Sequence, residues 1–293
     1  MDRIQIHRFV DNPLLTPNPN SIWRSKGVFN AGVIYSDGIF KMLFRASSRD
    51  DMSFSDLGLA LSYNGSQWYI LDKPVLECGS NDWCERGIED PRIVEFNTWY
   101  YIFATACFGG GGRIGIWRTK NFLQFEWVGI PFDIEDKDAC IIPDYIDGWV
   151  YLIHRIAPDM WISKTRDFSL KTGWEDHQVL LKAKTGKIGI AGPPIKLGDN
   201  WLVIYHRRTI EGIYELSFLI LDGKNPTKIL YDYEKPILTP EREHEKKGNV
   251  NNVVFSCATI DMGSYILIYW GGGDRVVCGG TLNKKELEKY ATK

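Results

Sequence analysis

The sequence has no surplus of charge of either sign. Its 293 residues include 35 Lys or Arg and 37 Asp or Glu, so the formal net charge at pH 7 is −2. The basic residues are interleaved with acidic ones, and no basic run stands out. Nucleic acids and anionic membranes are bound through concentrated positive charge. The sequence therefore argues against a nucleic acid or a membrane as a partner.

Long apolar runs are missing as well. The N-terminal segment MDRIQIHRFV has no apolar stretch of the kind that a signal peptide requires. The late apolar stretch from Tyr265 to Trp270 is far too short to cross a bilayer. We therefore expect a cytoplasmic protein.

The cysteines and histidines lack the spacings of a disulfide framework or a metal site. Six cysteines are present without a CxxC pair and at low density, so we expect reduced and mostly buried thiols. The five histidines show no metal-ligand spacing. The sequence therefore predicts that the protein binds no metal and no cofactor.

Common catalytic signatures are also absent. No HExxH, GxSxG or P-loop sequence occurs. Gly110, Gly112 and Gly115 satisfy the GxGxxG pattern, but the residues RIGIWRT overlapping its end alternate like a strand. Because a dinucleotide-binding loop opens into a helix, this context does not support a dinucleotide site.

Helical patterns are scarce, while aromatic residues are abundant. Hydrophobic residues make up 44% of the chain, with 11 Trp, 14 Tyr and 14 Phe, a composition typical of a β-rich protein with a sizeable core. Only the tail from Asn283 to Lys293 has helix-forming composition, and we expect it to form a solvated cap. No linker or low-complexity segment interrupts the chain, so we expect one domain over residues 1–293.

The most informative feature is an internal repeat with a period near fifty residues. Each copy has a polar or Gly/Pro start, a short alternating strand, a tight turn, and a second strand rich in aromatic residues. The copies begin 48 to 60 residues apart, which is the range of propeller blades. Their starts are Asn30, Asp90, Asp138, Gly192 and Asn252, and their turns are Asp37-Gly38, Asn97-Thr98, Asp147-Gly148, Gly198-Asp199 and Met262-Gly263. With about four strands in each unit, the sequence predicts an all-β protein with the architecture of a five-bladed β-propeller.

The hairpins also predict where function is concentrated. In an antiparallel hairpin, the start of the first strand lies beside the end of the second. The expected neighbours are Asn30 with Arg45, Asp90 with Thr105, Asp138 with His154 and Arg155, Gly192 and Pro193 with His206, and Asn252 with Gly271 to Asp274. If the five hairpins share one orientation, these ends meet at one mouth of the central channel.

The motif GIEDPR, at residues 87–92, contains the candidate for a catalytic acid. Side chains alternate along a strand, so we expect Asp90 and Arg92 on one face and Glu89 on the other. Asp90 could protonate a departing glycosidic oxygen, as cleavage of a glycosidic bond requires. The alternative is a structural Asp–Arg pair at the start of a blade. Arg92 favours that alternative, because a nearby cation makes a carboxyl group a stronger acid.

Three basic residues from different units form a second candidate group. Arg113 begins a strand after the glycine run 109–112, while Arg155 and His206 end second strands near the expected mouth. Such donors match the oxygens of a tetrahedral anion and would position phosphate and stabilise its charge. The alternative is that each of them pairs with a carboxylate such as Asp138 or Asp274.

Eight motifs in order connect the chain with a known family. They are GIEDPRI, a Gly-rich segment with Arg-Ile-Gly, KDACIIP, YLIHR, AGPPIK, LVIYH, NNVVFSCA and YWGGGD. In this order they resemble the motifs of glycoside hydrolase family 130, over roughly Asn30 to Asp274. The resemblance implies a five-bladed β-propeller, in agreement with the repeat.

The resemblance also implies roles for individual residues. It places the catalytic acid at Asp90 and has its proton travel through a hydroxyl of the bound mannosyl unit. It places phosphate binding at Arg113, Arg155 and His206. Sugar contacts are implied at Asn30, Arg45, Lys137, Asp138 and Asp274, and we add Glu89, Arg92 and Asn252 from the same motifs as substrate-binding candidates. Two departures are Asn251, where the family commonly has proline, and the compact N-terminus, which leaves acceptor subsites and a homo-oligomer open.

The leading hypothesis is an inverting β-mannoside phosphorylase, in which phosphate and a β-mannosyl oligosaccharide give α-mannose 1-phosphate and a shortened acceptor. Family members that hydrolyse lack the basic set and supply a carboxylate base, for which Glu89, Asp138 and Asp274 are candidates. A sugar-binding propeller without turnover is a third hypothesis. Compactness favours β-1,2-linked mannobiose or oligomannan over β-1,4-mannosyl substrates. Linkage and acceptor depend on loops at the mouth, namely Met52 to Asp56, Gly79 to Arg86 and Glu241 to Asn249.

Overall fold

The computed structural model describes residues 4–50, 52, 54–167 and 169–291. In this part of the chain the strands form five antiparallel sheets. The innermost strands of neighbouring sheets contact one another in turn, and that of the last sheet contacts that of the first. The sheets therefore close into a ring, which confirms the predicted five-bladed β-propeller.

The first three blades follow one another along the chain, after a two-residue strand β1 (His7–Arg8). Blade one contains β2 (Gly27–Ser36), β3 (Ile39–Ser47), β4 (Asp56–Ser62) and β5 (Tyr69–Ile70). Blade two contains β6 (Gly87–Phe96), β7 (Trp99–Phe108), β8 (Gly111–Thr119) and β9 (Glu126–Gly129). Blade three contains β10 (Lys137–Ile141), β11 (Val150–Ile156), β12 (Asp159–Thr165) and β13 (Glu175–Leu181). In each of them consecutive strands pair, and the first strand is innermost.

Blades four and five depart from this regular order. Blade four contains β14 (Lys187–Ile190), β15 (Ile195–Leu197), β16 (Asn200–Arg208), β17 (Tyr214–Leu221) and β18 (Ile229–Leu238). Both β14 and β15 pair with β16, so the inner strand is split in two. A short helix α1 (Glu243–Lys246) precedes blade five, which contains β19 (Val254–Asp261), β20 (Tyr265–Gly272) and β21 (Val276–Asn283). The N-terminal β1 pairs with β21 and closes the ring.

The tight turns of the hairpins lie where the sequence predicts them. Asp37 and Gly38 have φ angles of 55° and 76°, and Asp147 and Gly148 have φ angles of 51° and 75°. A two-residue loop whose twist matches the strands needs left-handed backbone at both positions, which Asp-Gly accepts at low cost. The turn sequences therefore determine the register of these hairpins.

The hydrophobic core lies between the blades. One cluster joins Phe103 of blade two, Leu152 of blade three and Val203 of blade four, all fully buried. Burial of apolar surface is the main favourable contribution to folding. The ring is therefore held together by packing between neighbouring blades, and the channel ends are left for polar residues.

The C-terminal tail differs from its prediction. It forms a helix, α2 (Lys285–Ala291), but Leu287 and Tyr290 are buried against blade four. The ring centre of Tyr290 lies 4.7 Å from that of Tyr231. The expectation of a solvated cap was wrong, because residues three apart share one helix face and this face meets an apolar surface. Residues 292 and 293 of the predicted cap lie outside the described residues.

The cysteines agree with their prediction, since all six are free and four of them are buried. Within the described ranges, no helix combines the length and the apolar character needed to cross a membrane.

Candidate active site

Bulges in the inner strands bring polar side chains together at one mouth of the channel. The ladders of blades one to three shift register next to Asn30, Asp90 and Asp138. These residues have φ angles of 47°, 55° and 49°, in the left-handed region that Asn and Asp tolerate better than most side chains. A bulge changes the direction in which its side chain points. All three side chains are consequently buried at the same end of the ring.

Asp90 lies at the centre of this group and is 7% exposed. Its Oδ1 accepts a hydrogen bond from Asn30 Nδ2 at 2.9 Å and lies 3.5 Å from Arg45 Nη1. Arg92 does not face this carboxylate, because its Nη1 donates to the main-chain oxygen of Asp90 at 2.9 Å. The prediction that Asp90 and Arg92 share one strand face was therefore wrong, and so was the alternative of a structural pair between their side chains. The reason is the bulge between Glu89 and Arg92.

Glu89 lies on the same side as Asp90 and not on the opposite face. Its Oε1 lies 2.7 Å from Arg45 Nη2, and its Oε2 lies 3.0 Å from Lys137 Nζ. Burial raises the pKa of Glu89, but Arg45 and Lys137 outweigh burial and lower that pKa to about 2. Glu89 is therefore an ionised anchor for two cations at neutral pH.

Asp138 joins three blades through its carboxylate. Oδ1 lies 3.2 Å from Arg92 Nη2, and Oδ2 lies 2.5 Å from Arg155 Nη1 and 3.0 Å from His206 Nε2. Burial opposes ionisation, yet Arg155 and Arg92 hold the pKa of Asp138 well below its usual range. Arg155 and His206 thus share one carboxylate oxygen, which is the pairing that the alternative to a phosphate site foresaw.

Arg92 is fully buried beneath the site, where its guanidinium group bridges neighbouring strands. Besides Asp90 and Asp138, its guanidinium donates to the main-chain oxygens of Ile190 at 2.9 Å and Ala191 at 2.8 Å. It is 0% exposed. Its contacts therefore fix the inner strand of blade two against blade four.

His206 is buried and neutral at pH 7. Burial lowers its pKa more than Asp138 raises it. Since an ionised Asp138 can only accept, Nε2 must carry the ring hydrogen, and Nδ1 is left as a lone-pair acceptor. Nδ1 is buried and has no hydrogen-bond partner among the described residues. His206 can therefore accept a hydrogen bond from a ligand, which differs from the cationic donor that the sequence suggested.

The remaining predicted residues lie around this centre. Arg113 Nε is 3.2 Å from Asp133 Oδ1 at the edge of blade two, and its side chain is 14% exposed. Asp274 has a left-handed φ of 48°. Burial, reinforced by Asp90, raises the pKa of Asp274 to about 6. Asn252 is exposed, and its main-chain oxygen accepts from the Tyr214 amide at 3.0 Å.

The expected neighbours across the hairpins lie within one residue of their positions in blades one to three. Phe29 faces Arg45, Glu89 faces Thr105, and Lys137 faces Arg155. In blade four, however, His206 faces Gly189 and not Gly192 or Pro193. The expectation was wrong there because residues 191–194, which contain two prolines, interrupt the inner strand.

Two residues of the site, Lys187 and Gly189, escaped the sequence analysis. Lys187 is half-buried at the start of β14, where burial and then Arg155 lower its pKa. A Cβ on Gly189 would overlap Asp138 and His206, and a Cβ on Gly271 would overlap Asn30. Lys187 was missed because it follows a polar loop. No sequence signal identifies it, because its position opposite Arg208, two residues from His206, depends on the blade-four register that the sequence did not predict.

The first and the third of the loops expected to shape the acceptor side contact residues of this site, and the second contacts the glycine run before Arg113. The Met52 main-chain oxygen lies 3.3 Å from Arg45 Nη2, although residue 53 of that loop lies outside the described residues. Glu85 Oε1 accepts from the Gly109 amide at 2.7 Å. Asn249 Nδ2 donates to the main-chain oxygen of Asp274 at 2.7 Å.

Across the described ranges, no group of three or more His, Cys, Asp or Glu side chains could hold a metal ion. The arrangement is a buried carboxyl group, Asp90, beside ion-paired carboxylates and a set of cations. It can deliver a proton to a neutral ligand and bind an anion next to it.

Comparisons with known proteins cover the whole ring. A family described as beta-1,4-mannooligosaccharide phosphorylase, in the glycoside hydrolase 130 group, matches residues 3–292. A 1,2-beta-oligomannan phosphorylase of Thermoanaerobacter sp. (strain X514) is 35% identical, with 97% of this chain and 99% of the relative covered. A beta-1,2-mannobiose phosphorylase of the same organism is 33% identical, with 97% and 99% covered. The crystal structure of a beta-1,2-mannobiose phosphorylase from Listeria innocua, in complex with beta-1,2-mannobiose, superimposes with a TM-score of 0.90 at 27% identity and covers 99% of both chains.

Proposed function

Because the chain belongs to glycoside hydrolase family 130, we propose that it is an inverting β-mannoside phosphorylase acting on β-1,2-linked mannobiose or oligomannan. The relatives at 35% and 33% identity, each covered almost completely, are phosphorylases of β-1,2-linked mannosides. They support the β-1,2 linkage over the β-1,4 linkage in the family's description. The substrates are then a β-mannosyl oligosaccharide and inorganic phosphate.

The observation that carries the proposal is the placement of Asp90 beside cations from other blades. Arg155 uses only one nitrogen for Asp138, so further guanidinium donors are available to phosphate oxygens. The positive charges of Arg155, Lys137 and Arg208 repel the charged form of Lys187 and contribute to lowering its pKa. A bound phosphate would offset this repulsion, because charge-assisted hydrogen bonds to an anion are among the strongest in proteins.

The reaction we propose breaks one bond and forms one bond at the anomeric carbon. A phosphate oxygen attacks from the face opposite the leaving group, and the glycosidic oxygen departs with its electron pair. The Asp90 proton passes to a hydroxyl of the mannosyl unit, and the proton of that hydroxyl passes to the departing oxygen. Inversion converts the β-mannoside into α-mannose 1-phosphate.

The other residues receive roles around this step. Phosphate is bound by Arg113 and Arg155 together with Lys187, while His206 Nδ1 accepts a phosphate or sugar hydroxyl. The sugar is bound by Asn30, Arg45, Glu89, Lys137, Asp138, Asn252 and Asp274. Arg92 we assign to positioning, because it is fully buried and its donors are directed to protein oxygens. No metal or cofactor takes part, and a cytoplasmic location and a homo-oligomer stay predictions.

Hydrolysis is the second candidate, and Asp274 is the residue that would support it. A water-activating base must be ionised yet able to take up a proton. Glu89 and Asp138 are too strongly stabilised as anions, whereas the pKa of Asp274 is raised to about 6. A hydrolase would therefore use Asp274 and would not need phosphate.

The deciding experiment measures mannose release from β-1,2-mannobiose with and without inorganic phosphate. Free mannose and mannose 1-phosphate are scored separately in each reaction. We expect turnover only with phosphate, with one α-mannose 1-phosphate formed per bond cleaved. Equal release of free mannose in phosphate-free buffer would replace this assignment by hydrolysis, and no turnover in either buffer would favour a sugar-binding propeller.

Substrate linkage is tested in the reverse direction. α-Mannose 1-phosphate is offered with mannose, β-1,2-mannobiose, β-1,4-mannobiose and N-acetylglucosamine as acceptors. We expect β-1,2 products from the first two. Preferential elongation of the β-1,4 acceptor or of N-acetylglucosamine would overturn the linkage and leave phosphorolysis intact.

A further inference from the structure

A chain of hydrogen bonds crosses blade three from its exposed edge to the channel. Asp136 Oδ2 lies 2.7 Å from His154 Nδ1, His154 Nε2 lies 3.1 Å from Ser163 Oγ, and Ser163 Oγ lies 2.7 Å from His177 Nδ1. Asp136 directly precedes β10, and the other three residues lie on β11, β12 and β13. The three outer strands of the blade therefore each contribute one member, and the fourth member lies one residue before the innermost strand.

This chain of hydrogen bonds has one consistent set of donors and acceptors when Asp136 is ionised and both histidines are neutral. His154 donates from Nδ1 to Asp136 and accepts at Nε2 from the Ser163 hydroxyl. The Ser163 oxygen then accepts from Nδ1 of His177. Every link points toward the carboxylate, so each ring is held in one tautomer and one orientation.

Packing between aromatic rings further restricts the orientations of the two histidine side chains. The centre of the Phe132 ring lies 5.1 Å from that of His154, in a stacked arrangement. The His154 and His177 rings are stacked at 4.9 Å, and Trp161 is stacked on His177 at 4.9 Å. Asp136, His154 and Ser163 are 1% exposed or less.

This arrangement is not the most stable way to fill the blade. Asp136 Oδ1 is buried and has no hydrogen-bond partner among the described residues. Burying a carboxylate beside a neutral imidazole carries a desolvation cost that an apolar replacement of similar volume would avoid. The position of these hydrogen bonds relative to the site indicates a role other than stability.

Both inner members are directly next to residues of the site. Asp136 precedes Lys137 and Asp138, and His154 precedes Arg155. Lys137 and Arg155 face each other across the ladder, and the ladder is then disturbed by the bulge after Lys137. The Asp136 amide also donates to the Gly112 oxygen at 3.2 Å, next to Arg113. The bond between Asp136 and His154 thus ties together the two strands at the point where the bulge weakens their pairing.

We infer that Asp136 and His154 are positioning residues for phosphate, which hold the main chain of Arg155 and Lys137–Asp138 so that the cations meet the attacking anion. Ser163 and His177 orient the His154 ring from the outer strands. The inference rests on the proposed phosphorolysis. It adds to that proposal a set of residues that never touch substrate and yet set the affinity for phosphate.

The experiment compares KM for phosphate with KM for the mannoside and with kcat. Asp136→Asn removes the charge that orients His154, and we expect KM for phosphate to rise roughly tenfold or more, since small displacements of binding groups are costly. KM for the mannoside and kcat should change less than threefold. The matched control is Thr165→Val, which removes a partly buried 2.9 Å hydrogen bond to the Thr172 oxygen at the turn end of the same blade.

A pair of substitutions at His154 separates positioning from packing. His154→Asn places an amide where Nδ1 lies and keeps a donor for Asp136, whereas His154→Gln reaches toward Ser163 and loses that donor. We expect His154→Gln to behave like Asp136→Asn and His154→Asn to recover most of the phosphate affinity. Ser163→Ala, a milder change, should raise KM for phosphate severalfold and decides the question if the other variants do not fold.

Two results would overturn the inference. One is an unchanged KM for phosphate in folded Asp136→Asn and His154→Gln. The other is an equal rise of KM for both substrates, or the same rise in Thr165→Val, which would indicate a purely structural role. The wild-type requirement for phosphate is measured in the same series, so failure of the proposed function itself is seen separately as phosphate-independent release of mannose.

Discussion

In blades one to three, the two ends of the inner hairpin use the same left-handed backbone conformation in different surroundings. At the turn end, Asp37 and Asp147 have φ angles of 55° and 51° and are exposed. At the mouth end, Asp90 and Asp138 have φ angles of 55° and 49° and are buried. A left-handed Asp reverses the chain in a turn, whereas in a bulge it aims a carboxylate at the channel. Burial distinguishes a turn residue from a site residue.

Both ends bear the cost of a non-glycine residue in left-handed backbone, which is roughly 1 to 3 kcal/mol when the surrounding structure imposes it. The mouth end also bears the cost of burying charge. Asp138 adds a fully buried charge held by Arg92, Arg155 and His206. Breaking such a pair is strongly destabilising. The packing between neighbouring blades supports this arrangement. Substitutions at the mouth should therefore cause a loss of function, whereas the same substitutions at the turns should be tolerated.

The largest difference is expected between Asp90→Asn and Asp37→Asn. Both substitutions keep the shape of the side chain and accept a left-handed φ. Asp90→Asn removes the proton that starts the relay through the mannosyl hydroxyl to the departing oxygen, so kcat should fall about 10² to 10⁴-fold while the fold is kept. Asp37→Asn should leave kcat unchanged. The measurement is initial rate with saturating phosphate, with circular dichroism on both proteins, and near-normal activity of Asp90→Asn would reject it as the acid.

Arg155→Ala tests the anion site at the mouth. Loss of a charge-assisted hydrogen bond is worth about 1.5 to 3 kcal/mol, so KM for phosphate in phosphorolysis and KM for α-mannose 1-phosphate in synthesis should each rise about 10 to 100-fold. No strong hydrolysis should appear, because no base has been added. Arg118→Ala is the control, since Arg118 pairs with Glu126 and lies over Trp99 away from the mouth. A fall in kcat with an unchanged KM for phosphate would contradict the assignment.

Alanine substitutions at two glycines distinguish steric crowding at the mouth from backbone preference at the turn. In Gly189→Ala the methyl group overlaps Asp138 and His206, so we expect a loss of about 1 to 3 kcal/mol in stability and roughly tenfold in kcat/KM. Gly148 has open space around its Cβ position and a φ of 75°. Gly148→Ala should therefore cost about 1 kcal/mol and leave kcat/KM unchanged. Denaturant unfolding and kinetics on both variants give the comparison, and equal kinetic effects would refute it.

The smallest expected effect is a pH dependence of stability at the mouth. The folded-state pKa of Asp274, about 6, lies above its ordinary value of 3.8. The folded protein binds this proton more tightly than the unfolded chain, so its stabilising contribution is present at pH 4 and is lost as the pH rises through about 6. Asp274→Asn should remove this loss. The free energy of unfolding of the variant relative to wild type should therefore be about 1 to 2 kcal/mol higher at pH 7 than at pH 4, with solvent screening included.

Thermal unfolding at the two pH values checks this effect, with Asp147→Asn at an exposed turn for comparison. A Tm difference between wild type and Asp274→Asn that is the same at pH 4 and pH 7 would show that Asp274 ionises without cost at the mouth.

Much of the architecture could be predicted because it is local in the chain. The Asp-Gly turns, the alternating strands and the repeat of about fifty residues each depend on a few consecutive residues. The short β1 and the buried face of α2 escaped prediction, since their positions depend on surfaces of blades four and five that are distant in sequence. The orientation of Glu89 and Arg92 was wrong for a related reason, because alternation holds only until a bulge interrupts it.

The sequence by itself determined the five hairpins and the position of Asp90, Arg155 and His206 at their open ends, since these follow from periodicity, turn chemistry and motif order. Only the tertiary structure decided that these ends meet at one mouth and which charges meet there. The pairs of Asp138 with Arg92 and His206 join residues 46 and 68 positions apart. Such contacts depend on how the blades pack around the ring. Burial then decides their chemistry, because a desolvated carboxyl group is ionised only where cations surround it.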